Sequence, residues 1–120
     1  MIEYFEKGIQ AMSLRNYPLA IRFFNNLIEE DATFAEAWNK RATVHFMMGN
    51  FDKSMNDIIK TLELEPRHFG ALDGMGLIFI HQGQFQEAIG VYDKMLEIFP
   101  FSVKTIEKKE RILSFLSQST

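Results

Sequence analysis

Apolar residues recur along this chain at steps of three and four, the spacing that lines one face of an α-helix. The clearest stretch runs from about Ala35 to Met48, where Trp38, Ala42, His45 and Phe46 share a side. Gly49 stops it, and Gly83 holds the matching place further on. Glycine suits a helix C-terminus that needs a left-handed residue without a Cβ. Arg15 takes that place in the first third of the chain, so its turn is expected to be less ideal. Asn16 and Pro18 restart the chain, with Pro18 just inside the next helix, where its missing N–H costs nothing. Pro66 and Pro100 follow the second helices and stop them.

This pattern returns every 34 residues. Tyr4, Trp38 and Leu72 are in register; so are Gly8, Ala42 and Gly76, then Phe24, Ile58 and Tyr92, then Ile28, Leu62 and Leu96. The chain therefore reads as helix–turn–helix units over 1–34, 35–68 and 69–102. Gly8, Ala42 and Gly76 mark where the first helix of each pair (helix A) is closely approached by the second (helix B), with Ala20, Ser54 and Ala88 facing them. The large residues Tyr17, Phe24 and Ile28 and their equivalents are expected to fill the space between successive units. One pair cannot bury its apolar face alone, so stacking supplies the core. Beyond Pro100 the repeat lapses, and about 103–117 reads as one more helix. Val103, Ile106, Leu113 and Leu116 are expected on its packed side, with Lys104, Lys108, Lys109 and Arg111 on or near the other. Ile112 and Phe115 fall off the packed side; they cover the end of the array, pair with a second copy in a homodimer, or are stray apolar residues.

A period of this length, with Ala35-Glu36-Ala37-Trp38 through Leu62-Glu63-Leu64-Glu65-Pro66 in its middle unit, resembles the tetratricopeptide repeat (TPR) family. Arg15, Ala32, Thr61 and Met95 depart from that family's pattern without breaking it. The resemblance implies an all-α fold, a right-handed α-solenoid of seven helices in a single domain over 1–120. Helix A of each pair would line the concave side, and residues 103–117 would be the capping helix. The segments 35–42 and 65–72 are also similar to short bacterial TPR proteins whose repeats follow an exported N-terminal segment.

Composition narrows the partners. Net charge is −3, which offers no basic footprint for nucleic acid or an anionic membrane. The absence of cysteine excludes disulfides, thiolate metal sites and cysteine nucleophiles. No apolar run approaches the ~18 residues of a membrane-spanning helix. Glu3 and Glu6 stand where a signal peptide would be basic. A soluble, cytoplasmic chain is expected as the sequence is given, and a periplasmic one if it was cut from a longer protein, since Met1 falls on the first position of the first unit.

Family members hold an extended peptide or a helix in the groove of the A helices. By register the groove residues here are Phe5, Ile9 and Met12 from the first unit, Asn39, Lys40 and Thr43 from the second, and Asp73, Leu77 and His81 from the third. The apolar members would bury an amphipathic segment, and Lys40, Asn39 and Asp73 would orient it. Burial of Phe5, Ile9 and Met12 by the protein's own chain or by another copy is the competing reading. Gly70 and Gly74 thin the third helix A, leaving room for a ligand or marking local weakness. One TPR subclass clamps a chaperone's C-terminal carboxylate with basic and asparagine side chains. Its five positions fall here on Phe5, Ile9, Lys40, Gly70 and Gly74, only one of which can meet a carboxylate, so that clamp is not expected.

No constellation supports catalysis, a cofactor or a metal. None of His45, His68 and His81 stands three or four residues from another, or from a carboxylate in a ligand-like helical pattern. His45 occupies a packed aromatic position, and His68 lies in a turn between units. The expectation is a non-enzymatic interaction scaffold, with a structural or self-association module as the alternative.

Overall fold

The computed structural model describes residues 2–118. Met1 and residues 119–120 lie outside them; of residues 118–120, expected to fray, Gln118 still belongs to the last helix. All regular structure among the described residues is helical: α1 (Ile2–Ser13), α2 (Tyr17–Glu30), α3 (Ala35–Met47), α4 (Phe51–Leu64), α5 (Phe69–His81), α6 (Phe85–Ile98) and α7 (Val103–Gln118). The contacts gather into two compact units, Met1–His68 and Phe69–Thr120.

Each hairpin turns by the same device. Arg15, Gly49 and Gly83 all have left-handed backbone, with φ of 59°, 79° and 73°. Paired bonds accompany it: Asn16 N–H to Ala11 O and Arg15 N–H to Met12 O, both 2.9 Å, with matching pairs at Asn50/Gly49 and Gln84/Gly83. This arrangement satisfies two carbonyls that a helix end leaves open. Asn16 also caps α2, its Oδ1 accepting from Leu19 N–H at 3.4 Å, with Pro18 in the first turn.

The first unit comprises the hairpins α1–α2 and α3–α4. Its core gathers Ala11, Ala20, Phe24, Leu27, Ala37 and Val44, with Phe5, Ile9, Met12 and Phe34 packed partly against it. Phe24 was expected to reach the neighbouring repeat. It shares the core with Ala37 and Val44 of that repeat, and its ring also lies on Gly8 of its own, where a Cβ would come within 2.6 Å of it. Ser54 does face Ala42, donating its hydroxyl to the Ala42 carbonyl at 2.7 Å. A buried ion pair ties three helices together. Arg41 (α3) donates to both carboxylate oxygens of Asp57 (α4) at 2.8 Å and to Asn25 Oδ1 (α2) at 2.8 Å.

In the second unit, α5 and α6 repeat the hairpin, with Tyr92 set against Gly76 as Phe24 is against Gly8. Helix α7 closes the unit, but on a different side from the one its apolar pattern suggests. Val103 is 65% and Leu113 45% exposed, whereas Thr105 and Ile112 are buried at 2% and 6%. Lys108 and Lys109, expected on or near the polar side, are half-buried beside them: Lys108 Nζ is 2.7 Å from Asp73 and Lys109 Nζ 2.6 Å from Asp93. Ile112, expected to lie off the packed side, is therefore a core residue of this unit.

Candidate partner-binding faces

Phe5, on α1, stands edge-on to Phe24 at 6.2 Å between centroids and tilts against Phe34 at 5.5 Å. It remains half-buried, as do Ile9 and Met12. Beside it opens a cavity of about 430 Å³ lined by Ile2, Phe5, Glu6, Asp31, Phe34 and Glu36. Its floor is apolar and its polar lining is three acids. Two hydrogen bonds from Thr33, through its hydroxyl and its N–H, hold the Asp31 carboxyl below the usual carboxylate range, which keeps that part of the rim ionised.

On α3, the register residues separate by exposure. Lys40 is half-buried, Thr43 is exposed, and Asn39 is buried at 9%. The Thr43 hydroxyl donates to the Asn39 carbonyl at 3.1 Å, a bond within the helix that leaves the Asn39 amide uninvolved.

In the second unit, Asp73 is taken up by the Lys108 ammonium. Leu77 lines a cavity of about 440 Å³ with Ile80, Phe85, Lys108, Arg111, Ile112 and Phe115. His81 ends α5 and is exposed. The Phe115 ring packs against Phe85 at 5.2 Å, so this residue, left open between end cover, dimer contact and stray apolar residue, lies against its own unit.

Two arrangements escaped the sequence pattern. The first is the Arg41–Asp57–Asn25 network, whose members are 16 residues apart. His45 joins its edge, with Nε2 3.9 Å from Asp57. Burial is the main cause that lowers its pKa; Asp57 opposes this, while Arg41 and Lys53 add to it. The second brings a histidine to two carboxylates where no helical spacing had offered one. One donor atom each from Glu36, Glu65 and His68 lies within 4.8 Å of the others. The convergence runs through a turn instead of along a helix. The three-residue step from Glu65 to His68 was its only sequence signal.

The model of the tetratricopeptide repeat matches residues 35–68. A TPR repeat-containing protein of Rhizobium etli is 39% identical over 100 residues, which are 83% of this chain and 48% of that protein. The chain thus spans about half the length of that relative. Among solved structures, the first TPR of Spaghetti (RPAP3) bound to HSP90 peptide SRMEEVD superposes with a TM-score of 0.89 at 20% identity, over 97% of this chain and 94% of that one. The second TPR domain of human RPAP3 in complex with HSP70 peptide SGPTIEEVD gives a TM-score of 0.83 at 18% identity, over 92% of each. No described helix is long and apolar enough to cross a membrane. The 34-residue register, the glycine-type turns and these matches together show that the chain is an all-α helical solenoid of the tetratricopeptide repeat family.

Proposed function

We propose that this chain is a non-enzymatic protein-interaction module and that the α1/α3 face of its first unit receives an amphipathic peptide segment. The observation that carries this reading is the cavity beside Phe5 and Phe34. Its volume of about 430 Å³ suits one or two large side chains, and its apolar floor supplies burial. A fully buried large side chain contributes about 1.5–3 kcal/mol, while micromolar binding requires about 8 kcal/mol. Several anchors must therefore act together, and Ile9 and Met12 extend the same strip of α1. Glu6, Asp31 and Glu36 at the rim favour a segment with a lysine or arginine next to its apolar anchor. Lys40 and Thr43 orient its far end. In the second unit, Asp73, Leu77 and His81 are the corresponding positions; Asp73 acts there only by exchanging its Lys108 partner.

A second reading draws on the two solved neighbours that hold chaperone peptides. A peptide of that kind ends in acids and a free carboxylate, and Lys40 is the one cation at the five clamp positions. Selection from an unbiased displayed-peptide library separates the two readings. The first predicts enrichment of apolar residues flanked by lysine or arginine, with binding lost in Glu6→Lys. Enrichment of acidic C-terminal sequences whose binding is lost in Lys40→Glu would establish the second. A library that yields no binder would contradict both.

A further inference from the structure

Each 34-residue repeat builds the same corner from three positions: one in the first turn of helix A, one that closes helix B, and one just before the following helix. The turn that shapes it is common to all. Its closing N–H···O bonds run from Phe34 to Asp31 at 3.1 Å, from His68 to Glu65 at 3.0 Å and from Ser102 to Phe99 at 3.2 Å. Apart from an acid that Asp31 and Glu65 share, the side chains differ. The first repeat has Ile2, Asp31 and Phe34; the third has Gly70, Phe99 and Ser102; the middle one has Glu36, Glu65 and His68. The repeat frame therefore does not demand two acids and a histidine here.

Their chemistry is that of a donor set. The three ligand atoms lie within 4.8 Å of one another. The His68 ring is only 12% exposed and is hydrogen-bonded through Nε2 to Glu36 Oε1. Glu36 is half-buried and Glu65 exposed, so one side of the cluster stays open to solvent. Two carboxylates held this close repel each other, and a divalent cation between them turns that repulsion into attraction. An imidazole nitrogen with two carboxylate oxygens suits Zn²⁺ and its first-row neighbours, with water in the open positions. Ca²⁺ and Mg²⁺ prefer oxygen alone.

We propose that Glu36, Glu65 and His68 form a binding site for a divalent transition-metal ion, with Zn²⁺ the best match. The ion would pin the turn after α4 to the first turn of α3. The rotatable Glu36 and Glu65 side chains allow the small shifts that ligation requires.

The test titrates the chain, freed of any affinity tag, with Zn²⁺ alone in a calorimeter and follows its melting temperature. One ion per chain is expected, with a rise in Tm, because a ligand that binds the folded state stabilises it. Glu65→Gln and His68→Gln should each weaken binding by about tenfold or more. Circular dichroism confirms that each variant is folded. If His68→Gln does not fold, Glu65→Gln, altered at an exposed side chain, decides the matter alone. No binding up to millimolar Zn²⁺ would overturn the proposal. So would undiminished binding in Glu65→Gln, or Mg²⁺ bound as tightly as Zn²⁺.

Discussion

Replacing Gly8 with alanine adds one methyl group at the closest helix contact of the first unit. The new Cβ would lie 2.6 Å from Cε1 and 2.7 Å from Cζ of Phe24. That ring is fully buried and has Phe5 against it, so it has little room to retreat. Two effects oppose each other. Alanine is the better helix former by about 0.5–1 kcal/mol, while overfilling a packed core costs about 1–3 kcal/mol. The clash should win, with a net loss of about 1–2 kcal/mol and a fall in Tm of roughly 3–8 °C. Urea unfolding followed by circular dichroism measures it. The control is a cycle with Phe24→Leu: the smaller side chain leaves space for the methyl, so the double variant should be more stable than additivity predicts by about 1 kcal/mol. A Gly8→Ala protein more stable than the parent, or strict additivity in the cycle, would refute the packing argument.

Three further outcomes follow from the structure. Arg15→Gly relieves a side chain held at φ 59° and should stabilise by about 0.5–1 kcal/mol in chemical unfolding, whereas Gly49→Ala, at φ 79°, should do the reverse. Asp57→Ala leaves the Arg41 guanidinium without its bidentate partner in a largely buried place, and a loss of about 3 kcal/mol is expected by the same method. Burial, reinforced by Asp73, pushes the Tyr92 phenol up to about 12. The unfolded phenol ionises near pH 10, so the folded state retains the proton longer. Stability is then fully present below pH 10 and falls as pH rises towards 12, by about 2–3 kcal/mol. Tyr92→Phe should lack this alkaline loss when unfolding is measured across that range.

The helices were legible because their signals are local. Period, turn glycines and prolines placed all seven; the turn at Arg15, expected to be less ideal, has the same left-handed backbone and bond pair as those at Gly49 and Gly83. Contacts that depend on which way a side chain turns were less so. The register set Ala20 opposite Gly8, yet the Phe24 ring is what lies nearest to it. On α7 the aliphatic pattern pointed to Val103 and Leu113, but Thr105 and Ile112 are the buried residues, and Lys108 and Lys109 beside them reach Asp73 and Asp93. Glu36 and His68 meet across 32 residues because the α3–α4 hairpin folds back on itself, a relation no short spacing records. At the proposed docking face, the register identified Phe5 and Lys40. It missed Phe34 and Asp31, which reach the same cavity from the turn between hairpins.

The most direct test of the account is a backbone amide NMR titration of the chain with a library-selected peptide. Docking on the α1/α3 face predicts chemical-shift changes concentrated at Phe5, Glu6, Ile9, Phe34, Glu36, Lys40 and Thr43, and their loss in Glu6→Lys. Changes confined to α2 and α4, or to α7, would contradict it.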